Sequence, residues 1–424
     1  MKAKKKQGRS GGGLSELKEL SNLGGSLVIR GLGHGEDDTV ECKATNMKDK
    51  QHLQHLRLYW DDKRDDGETE CYDEMSLEGL HPHPNLKALG LRDYMGVRIP
   101  SWVSSLTNLV RFGLFRNRRL LHLPPLNQLP FLKSLTLRGM EALEYISDED
   151  SVSNVLGASS SSSSSSSSKT PFFPSLSSLN IGECPKLKGW WRNSDDDDDD
   201  NEPHHLLLPS FPPSLSELLI YKCPNLTSMP PFPYFKEGLE LYGCSWKVLE
   251  QTMKMKMGSA TTSTYFPLSQ LQHLNLLCMN DFESLPEEWL RNLVSLRKLY
   301  ISHCDGLVSL LGIGSLTSLQ NLDIFYCPNL MSLPQEICNL TSLKELRIDN
   351  CPLLGQRCLR QIGEDWPIIA HVPIVRVGGQ NQQEETISSG MHLVYLSFNP
   401  KLKIDYWFLI FWTTFKAIQL RFLC

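Results

Sequence analysis

The sequence lacks the long hydrophobic runs that direct proteins to membranes or to secretion. Residues 1–6 are Met-Lys-Ala-Lys-Lys-Lys with no apolar stretch behind them, whereas a secretory signal needs a hydrophobic core of roughly 7–15 residues. The apolar stretch at 406–412 is far shorter than the roughly 20 residues that span a bilayer. We therefore expect a cytoplasmic protein that does not depend on a membrane, with reduced thiols.

Motifs for catalysis, metal binding and nucleotide binding are missing as well. Twelve cysteines are present, but none form a Cys-x-x-Cys pair with matching histidines, which argues against structural zinc. No Gly-x-x-x-x-Gly-Lys-Ser/Thr loop occurs, and the glycine string at 31–35 is too short for a nucleotide site. No acid, base and nucleophile converge at catalytic spacing. The sequence predicts no cofactor, no metal and no enzymatic activity.

The overall charge gives no sign of a nucleic-acid partner. The formal net charge is −5, and the aspartate run at 195–200 alone supplies −6, so the rest of the chain is nearly neutral. Nucleic-acid binding that depends on bulk positive charge is therefore not expected.

What the chain has in abundance is a Leu-x-x-Leu-x-Leu string, whose clean copies follow one another at steps of 23–25 residues. An opening copy is Leu27-Val28-Ile29, and later ones begin at residues 53, 86, 109, 132, 176, 215, 271, 296, 319 and 343. Such units cannot bury their leucines alone and must stack. The pattern predicts an α/β leucine-rich-repeat solenoid, with a parallel β-sheet on the concave face and loops or short helical turns on the convex face.

Within each copy, the alternating leucines predict a short strand. Successive strand side chains face opposite ways, so the leucines should face the interior and the residues between them the concave side. A bend follows the strand, and cysteine recurs there at one repeat position. We interpret these cysteines as small buried ladder residues instead of metal ligands. They are Cys184, Cys223, Cys304, Cys327 and Cys351.

The concave face is the candidate binding surface, because aromatic and arginine side chains are the usual anchors of protein interfaces. Any one of these side chains can also be an ordinary solvated strand residue, so the hypothesis concerns the set. The predicted partner-binding residues are Arg57, Tyr59, Arg92, Phe115, Arg138, Tyr221, Tyr300, Phe325 and Arg347.

Composition divides the chain into three parts. Residues 1–23 form a basic, glycine-containing lead-in, and residues 24–379 form the solenoid. Disordered insertions are expected near 151–170, 193–205 and 250–264, since a serine run and an aspartate run cannot bury enough apolar surface to become ordered. Residues 380–424 form an atypical tail with a short hydrophobic segment.

Several strings resemble one known family. Leu14-Ser15-Glu16-Leu17-Lys18-Glu19-Leu20, Leu80-His81-Pro82-His83-Pro84-Asn85-Leu86 and Gly363-Glu364-Asp365-Trp366-Pro367 are similar to the repeat region of plant nucleotide-binding leucine-rich-repeat disease-resistance proteins of the coiled-coil class. The resemblance covers roughly residues 11–379.

This resemblance implies recognition in innate immunity, with a pathogen effector, a guarded host protein or a nucleotide-binding immune receptor as the partner. The family's coiled coil and nucleotide-binding switch are not found in the sequence. We therefore expect recognition without autonomous nucleotide-driven signalling. Three alternatives remain open. One is a leucine-rich-repeat substrate receptor of a ubiquitin ligase, for which residues 1–23 are too few to hold an adaptor-binding helical box. The others are a secreted or cell-surface repeat receptor, for which a signal peptide and cysteine-paired caps are missing, and a truncated, non-functional gene product.

Overall fold

The computed structural model of the chain describes residues 2–4, 14–33, 36–61, 69–127, 129–147, 172–191, 209–232, 234–254 and 266–378. The expected insertions near 151–170 and 193–205 and the tail at 380–424 lie outside the described residues. Of the expected insertion near 250–264, residues 250–254 are described and are helical in part, with Met253 buried.

Fourteen strands form one sheet in which every pair runs parallel, and two further short strands, Tyr145–Ser147 and Gly189–Trp191, pair with each other. This confirms the predicted α/β solenoid. The strands are β1 Lys2–Lys4, β2 Gly25–Leu32, β3 Leu53–Trp60, β4 Ala88–Arg92, β5 Arg111–Phe115, β6 Ser134–Arg138, β7 Tyr145–Ser147, β8 Ser178–Gly182, β9 Gly189–Trp191, β10 Glu217–Cys223, β11 Gly238–Cys244, β12 His273–Leu277, β13 Lys298–Ser302, β14 Asn321–Phe325, β15 Glu345–Asp349 and β16 Ile374–Val377.

Helices are short and lie between the strands along the chain. The α-helices are α1 Glu36–Ala44, α2 Thr69–Gly79, α3 Glu250–Met253, α4 Glu287–Leu290, α5 Pro352–Arg357 and α6 Trp366–Ile369. Single 3-10 turns cover Leu14–Glu19, Met47–Asp49, Ser101–Ser105, Trp246–Leu249, Ile313–Ser315 and Gln335–Asn339. α1 and α2 exceed the single turns expected from the sequence. α2 is tied to the following repeat by carboxylates, since Asp73 and Glu74 accept backbone N–H groups of Met95 and Val97.

The core is a stack of aligned leucines. Leu299, Leu322 and Leu346 pair in register on β13, β14 and β15, and each is fully buried. This confirms the repeat register taken from the sequence. Burying each such side chain contributes roughly 1.5–3 kcal/mol, which only stacked repeats can gain.

A residue in the left-handed backbone region stands at the carboxyl end of eleven strands, with φ between 51° and 74°. The residue after it is buried in all eleven repeats, and the predicted ladder cysteines occupy this position. Eight of the eleven left-handed residues are not glycine, and each of these eight costs about 1–2 kcal/mol, which the buried neighbour offsets. The left-handed residues are Gly31, Asp93, Arg116, Gly139, Glu183, Lys222, Gly243, Cys278, His303, Tyr326 and Asn350.

Two repeat strands were not predicted from the sequence. β11 is a full repeat in which the buried Phe235 lies four residues before Leu239, where the pattern has a leucine three residues before, and Cys244 is its ladder residue. β16 adds a last strand beyond β15.

The expected lead-in at residues 1–23 also differs from the structure. β1 pairs with β2, and Leu14 and Leu17 are buried in the core. The buried Lys50 ammonium donates to the Leu17 carbonyl oxygen at 2.6 Å, which satisfies the end of the opening turn. Residues 14–23 therefore belong to the solenoid, because their leucines cover its first repeat.

Candidate protein-recognition face

The strand register arranges the outward side chains of the sheet in three rows. The first row runs through His55, Ala88 and Arg111 on β3, β4 and β5. The middle row lies two residues further along each strand and includes Arg57 on β3. The carboxyl row lies two residues beyond the middle row and includes Tyr59 on the same strand. Each row continues across the sheet, so a partner that lies on the concave side meets three parallel lines of side chains.

The nine predicted partner-binding residues fall in two of these rows instead of a single line. Arg57, Tyr300 and Arg347 lie in the middle row. The other six lie in the carboxyl row, namely Tyr59, Arg92, Phe115, Arg138, Tyr221 and Phe325.

In the early repeats, the carboxyl row alternates arginine with aromatic residues. Arg30, Tyr59, Arg92, Phe115 and Arg138 are paired neighbours on successive strands. The Arg30 guanidinium lies 4.2 Å from the centroid of the Tyr59 ring, a cation–π distance. Such contacts hold the long side chains in place, so less conformational entropy is lost when a partner binds.

Two of the predicted aromatic residues lean over glycines. The Phe115 ring lies beside Gly113, where an added Cβ would be 2.7 Å from Phe115 Cε2. The Tyr221 ring fills the space above Gly182, where a Cβ would lie 2.1 Å away, and it contacts Arg138 with a cation–π distance of 5.5 Å. Burial raises the pKa of Tyr221, whose exposure is only 8 %. Little of its side chain is left for a partner.

The outward positions divide the sheet into two regions of opposite charge. We call the outward residues of β2, β3, β4, β5, β6 and β8 the basic half: they include five arginines and no Asp or Glu, the arginines being Arg30, Arg57, Arg92, Arg111 and Arg138. The outward residues of β10 to β15 are the acidic half. They include two cations, Lys298 and Arg347, and five carboxylates, which are Glu217, Glu240, Asp323, Glu345 and Asp349.

Carboxylates beside the basic half lie at the left-handed positions. Asp93 forms ion pairs with Arg92 and Arg116, each at 3.3 Å, and Glu183 pairs with Arg138 at 3.2 Å. They neutralise the carboxyl row in part. In the first and middle rows, burial and then the charges of Arg111 and Arg57 lower the pKa of His55.

In the acidic half, the charged groups pair with one another. Asp323 has a side chain only 4 % exposed, and its oxygens lie 3.8 Å from Lys298 Nζ and from Arg347 Nε. Arg347 Nε also donates to Glu345 at 2.8 Å, and Arg376 lies 3.5 Å from the same carboxylate. Burial raises the pKa of Asp323, whereas the hydrogen bond from Arg347 lowers the pKa of Glu345. The predicted anchor Arg347 is thus engaged within the chain.

An aromatic cluster lies at the carboxyl end of β13 and β14. The predicted residues Tyr300 and Phe325 contact each other at 5.5 Å between centroids. Beside them, His303 stacks on Tyr326 at 4.4 Å, and Tyr326 is 47 % exposed. Sequence reasoning missed His303 and Tyr326 because they follow their strands, where the alternation of inward and outward residues ends.

In the described part of the chain, no group of His, Cys, Asp and Glu residues is arranged to hold a metal ion. Among the same residues, no helix is both long and apolar enough to cross a bilayer.

Sequence comparison connects this sheet with plant proteins. Residues 14–140 match the family model described as R13L1/DRL21 LRRs. The disease resistance protein RGA4 of Solanum bulbocastanum is 33 % identical over 391 residues, which cover 85 % of this chain and 35 % of that protein. RPP13-like protein 1 of Arabidopsis thaliana is 28 % identical over 82 % of this chain and 31 % of its own length. This chain is a leucine-rich-repeat region of the plant disease-resistance type.

This disease-resistance repeat region spans about a third of the length of these relatives. Among solved structures, the leucine-rich-repeat domain of the type III effector XopL is 18 % identical and covers 86 % of this chain and 94 % of that chain, with a TM-score of 0.39. The Toll–Spatzle complex of Drosophila covers 87 % of this chain and 45 % of that chain, at 14 % identity and a TM-score of 0.40. Both likenesses concern the fold alone.

Proposed function

We propose that this repeat region recognises protein partners in plant defence, and that its concave sheet is the recognition surface. One observation carries the proposal: rows of arginine and aromatic side chains run across consecutive strands of a continuous sheet, as in Arg30, Tyr59, Arg92 and Phe115. These residue types dominate the binding energy of protein interfaces. The role is binding and not catalysis.

The partner is a pathogen effector, a guarded host protein or a nucleotide-binding immune receptor. The similarity to disease resistance proteins over most of the chain supports this range of partners. We propose the cytoplasm as the site of action. The ten described cysteines are free thiols, and burial raises the pKa of Cys244 to about 12, so that thiol stays protonated. A reducing compartment suits such residues.

Photo-crosslinking in plant tissue tests the concave assignment. A photoreactive phenylalanine analogue replaces Tyr59 or Tyr300 on the sheet, and the matched controls replace Phe131 or Val294, which are exposed but outside the strands. We expect discrete adducts from the sheet positions and none from the controls. Adducts confined to Phe131 and Val294, or none at any position, would overturn the proposal.

The same adducts distinguish the partner classes by mass spectrometry. A nucleotide-binding receptor or an effector supports the immune assignment. An adaptor of a ubiquitin ligase would instead support a substrate-receptor role and contradict the one proposed.

A further inference from the structure

The basic half contains a shallow trough in its surface. Gly90 and Gly113 are paired neighbours in the middle row, between Arg57 on β3 and Thr136 on β6. The Cα atoms of Arg57 and Thr136 are therefore about 14 Å apart, three strand spacings of roughly 4.8 Å each. Gly90 presents no side chain in this row, so the sheet backbone forms the floor there, whereas the Phe115 ring covers the neighbouring Gly113.

The rim of the trough is cationic on several sides. Arg57 borders it in the middle row, Arg111 in the first row and Arg92 in the carboxyl row. Arg57 and Arg111 are exposed. The Phe115 ring provides an apolar side, since it leans over Gly113 from the carboxyl row.

The nearest atoms around Gly90 leave room above it. A Cβ at this position would meet Arg57 Cγ at 3.7 Å and nothing closer. Gly90 is therefore not required by packing, and its missing side chain instead leaves the trough open.

We propose that this trough binds an extended, acidic segment of a partner protein, which lies along β4 and β5 with its carboxylates on Arg57, Arg111 and Arg92. This inference rests on the proposed function and names the chemistry of the partner at that face. Arginine forms paired, charge-assisted hydrogen bonds with carboxylates, which suits side chains that alternate along an extended chain. The segment's backbone passes over Gly90, where no Cβ obstructs it, and beside the Phe115 ring that covers Gly113.

The charge distribution favours a protein segment over a nucleic acid. The cationic surface ends at β8, and the next six strands of the sheet carry five outward carboxylates. A long polyanion would be repelled as soon as it left the trough. A short acidic segment followed by neutral or basic residues matches both halves.

The test uses the full chain and a display library of short random peptides. The tightest selected peptide is labelled, and its affinity is measured by fluorescence anisotropy. One variant is the double reversal Arg57→Glu with Arg111→Glu. A second, Gly90→Leu, fills the trough without a change of charge. The matched control is Arg376→Glu, an arginine of the middle row on β16 that is 67 % exposed. Thermal melts check that every variant is folded.

We expect the enriched peptides to carry net negative charge. The double reversal should weaken their binding by at least about ten-fold, and Gly90→Leu by a comparable factor, with Arg376→Glu within about two-fold of the parent. Neutral or basic peptides, or acidic peptides that bind the double reversal as well as the parent, would overturn the inference. It also fails if heparin or single-stranded RNA displaces the peptide while Gly90→Leu has no effect, since the surface then attracts any polyanion.

The failure of this inference can be told from the failure of the proposed function. If the sheet positions Tyr59 and Tyr300 still crosslink to a plant protein while acidic peptides do not bind, protein recognition stands and the acidic segment does not. If no sheet position crosslinks, the recognition role itself is wrong.

Discussion

The basic half and the acidic half of the sheet have the same interior and opposite exteriors. In both, inward leucines such as Leu56 and Leu322 are fully buried at the same strand position. Outward, the first region carries arginines without strand carboxylates, whereas the second carries more carboxylates than cations. Stacking therefore constrains the inward positions alone, and each repeat can change its outward residues without a change of fold.

The two halves also differ in where the carboxylates beside their cations lie. In the acidic half, Asp323 lies between Lys298 and Arg347, and Arg347 also pairs with Glu345, so outward strand residues pair with one another. In the basic half, the outward strand positions include no carboxylate, and Asp93 and Glu183, which pair with Arg92 and Arg138, follow their strands. The outward strand positions of the basic half are therefore the ones whose charge suits an acidic partner.

The largest effect we expect is a loss of folding stability on truncating a core leucine, and it should be equal in the two halves. Leu56→Ala and Leu322→Ala should each lower the free energy of unfolding by about 2–5 kcal/mol, because each leaves a cavity at a fully buried position. Denaturant unfolding measures both. A loss below about 1 kcal/mol in only one variant would mean that the two halves do not share one packed core.

The stability of the protein should respond differently to a methyl group added at Gly182, which lies under the Tyr221 ring, and at Gly90, which lies in the open trough. Gly182→Ala should cost about 1–3 kcal/mol, because the new Cβ would lie 2.1 Å from the Tyr221 ring. Gly90→Ala should stay within about 0.5 kcal/mol, since its nearest neighbour is at 3.7 Å. Thermal melts report both, and a loss at Gly90 equal to that at Gly182 would remove the distinction between a filled and an open position.

The loss of stability should differ by a smaller amount between two arginines of the middle row, Arg347 in the acidic half and Arg57 in the basic half. Arg347→Ala should lower stability by about 1 kcal/mol at neutral pH, because Asp323 and Glu345 lose a cation. Arg57→Ala should change stability by about 0.5 kcal/mol or less, since its side chain is exposed among other arginines. Urea unfolding that gives the reverse order would show that the network of the acidic half is not the more tightly coupled one.

The smallest expected effect is a pH dependence within the acidic half. Burial raises the pKa of Glu240 above its ordinary value of 4.5. A raised carboxyl pKa means that the native state holds its proton more tightly, so this group's contribution to stability falls as the pH rises from 4.5 through the raised pKa. Glu240→Gln should therefore stabilise the protein at neutral pH, with a gain that disappears below pH 4.5. Melts across this range check the sign, and a gain that is the same at every pH would contradict the role of burial.

The repeat strands that follow the leucine pattern were predictable because each buries two large apolar side chains whose spacing is set by the strand itself. β11 was missed because Phe235 stands four residues before Leu239 instead of three, although Leu239, Leu241 and Cys244 carried the signal. The helices α1 and α2 were missed since the segments between strands follow no common period.

The candidate surface was harder to predict than the fold. Residue type identified Tyr221 and Arg347 as anchors, but their availability depends on neighbours in other repeats. Tyr221 is covered because Gly182 on β8 leaves space for its ring, and Arg347 is engaged because Asp323 on β14 lies beside it. The division into a basic and an acidic half emerges only when the strands are placed side by side.

We propose that a protein partner contacts the concave sheet and that the basic half makes the charged contacts. The most direct measurement is the affinity of a crosslinked natural partner for two double variants, Arg57→Glu with Arg111→Glu and Lys298→Glu with Arg376→Glu, at low and high salt. We expect the first pair to weaken binding by at least about ten-fold and to remove most of its salt dependence, and the second to change the affinity by about two-fold or less. Equal affinities for the two variants, or a loss only in the second, would contradict the claim.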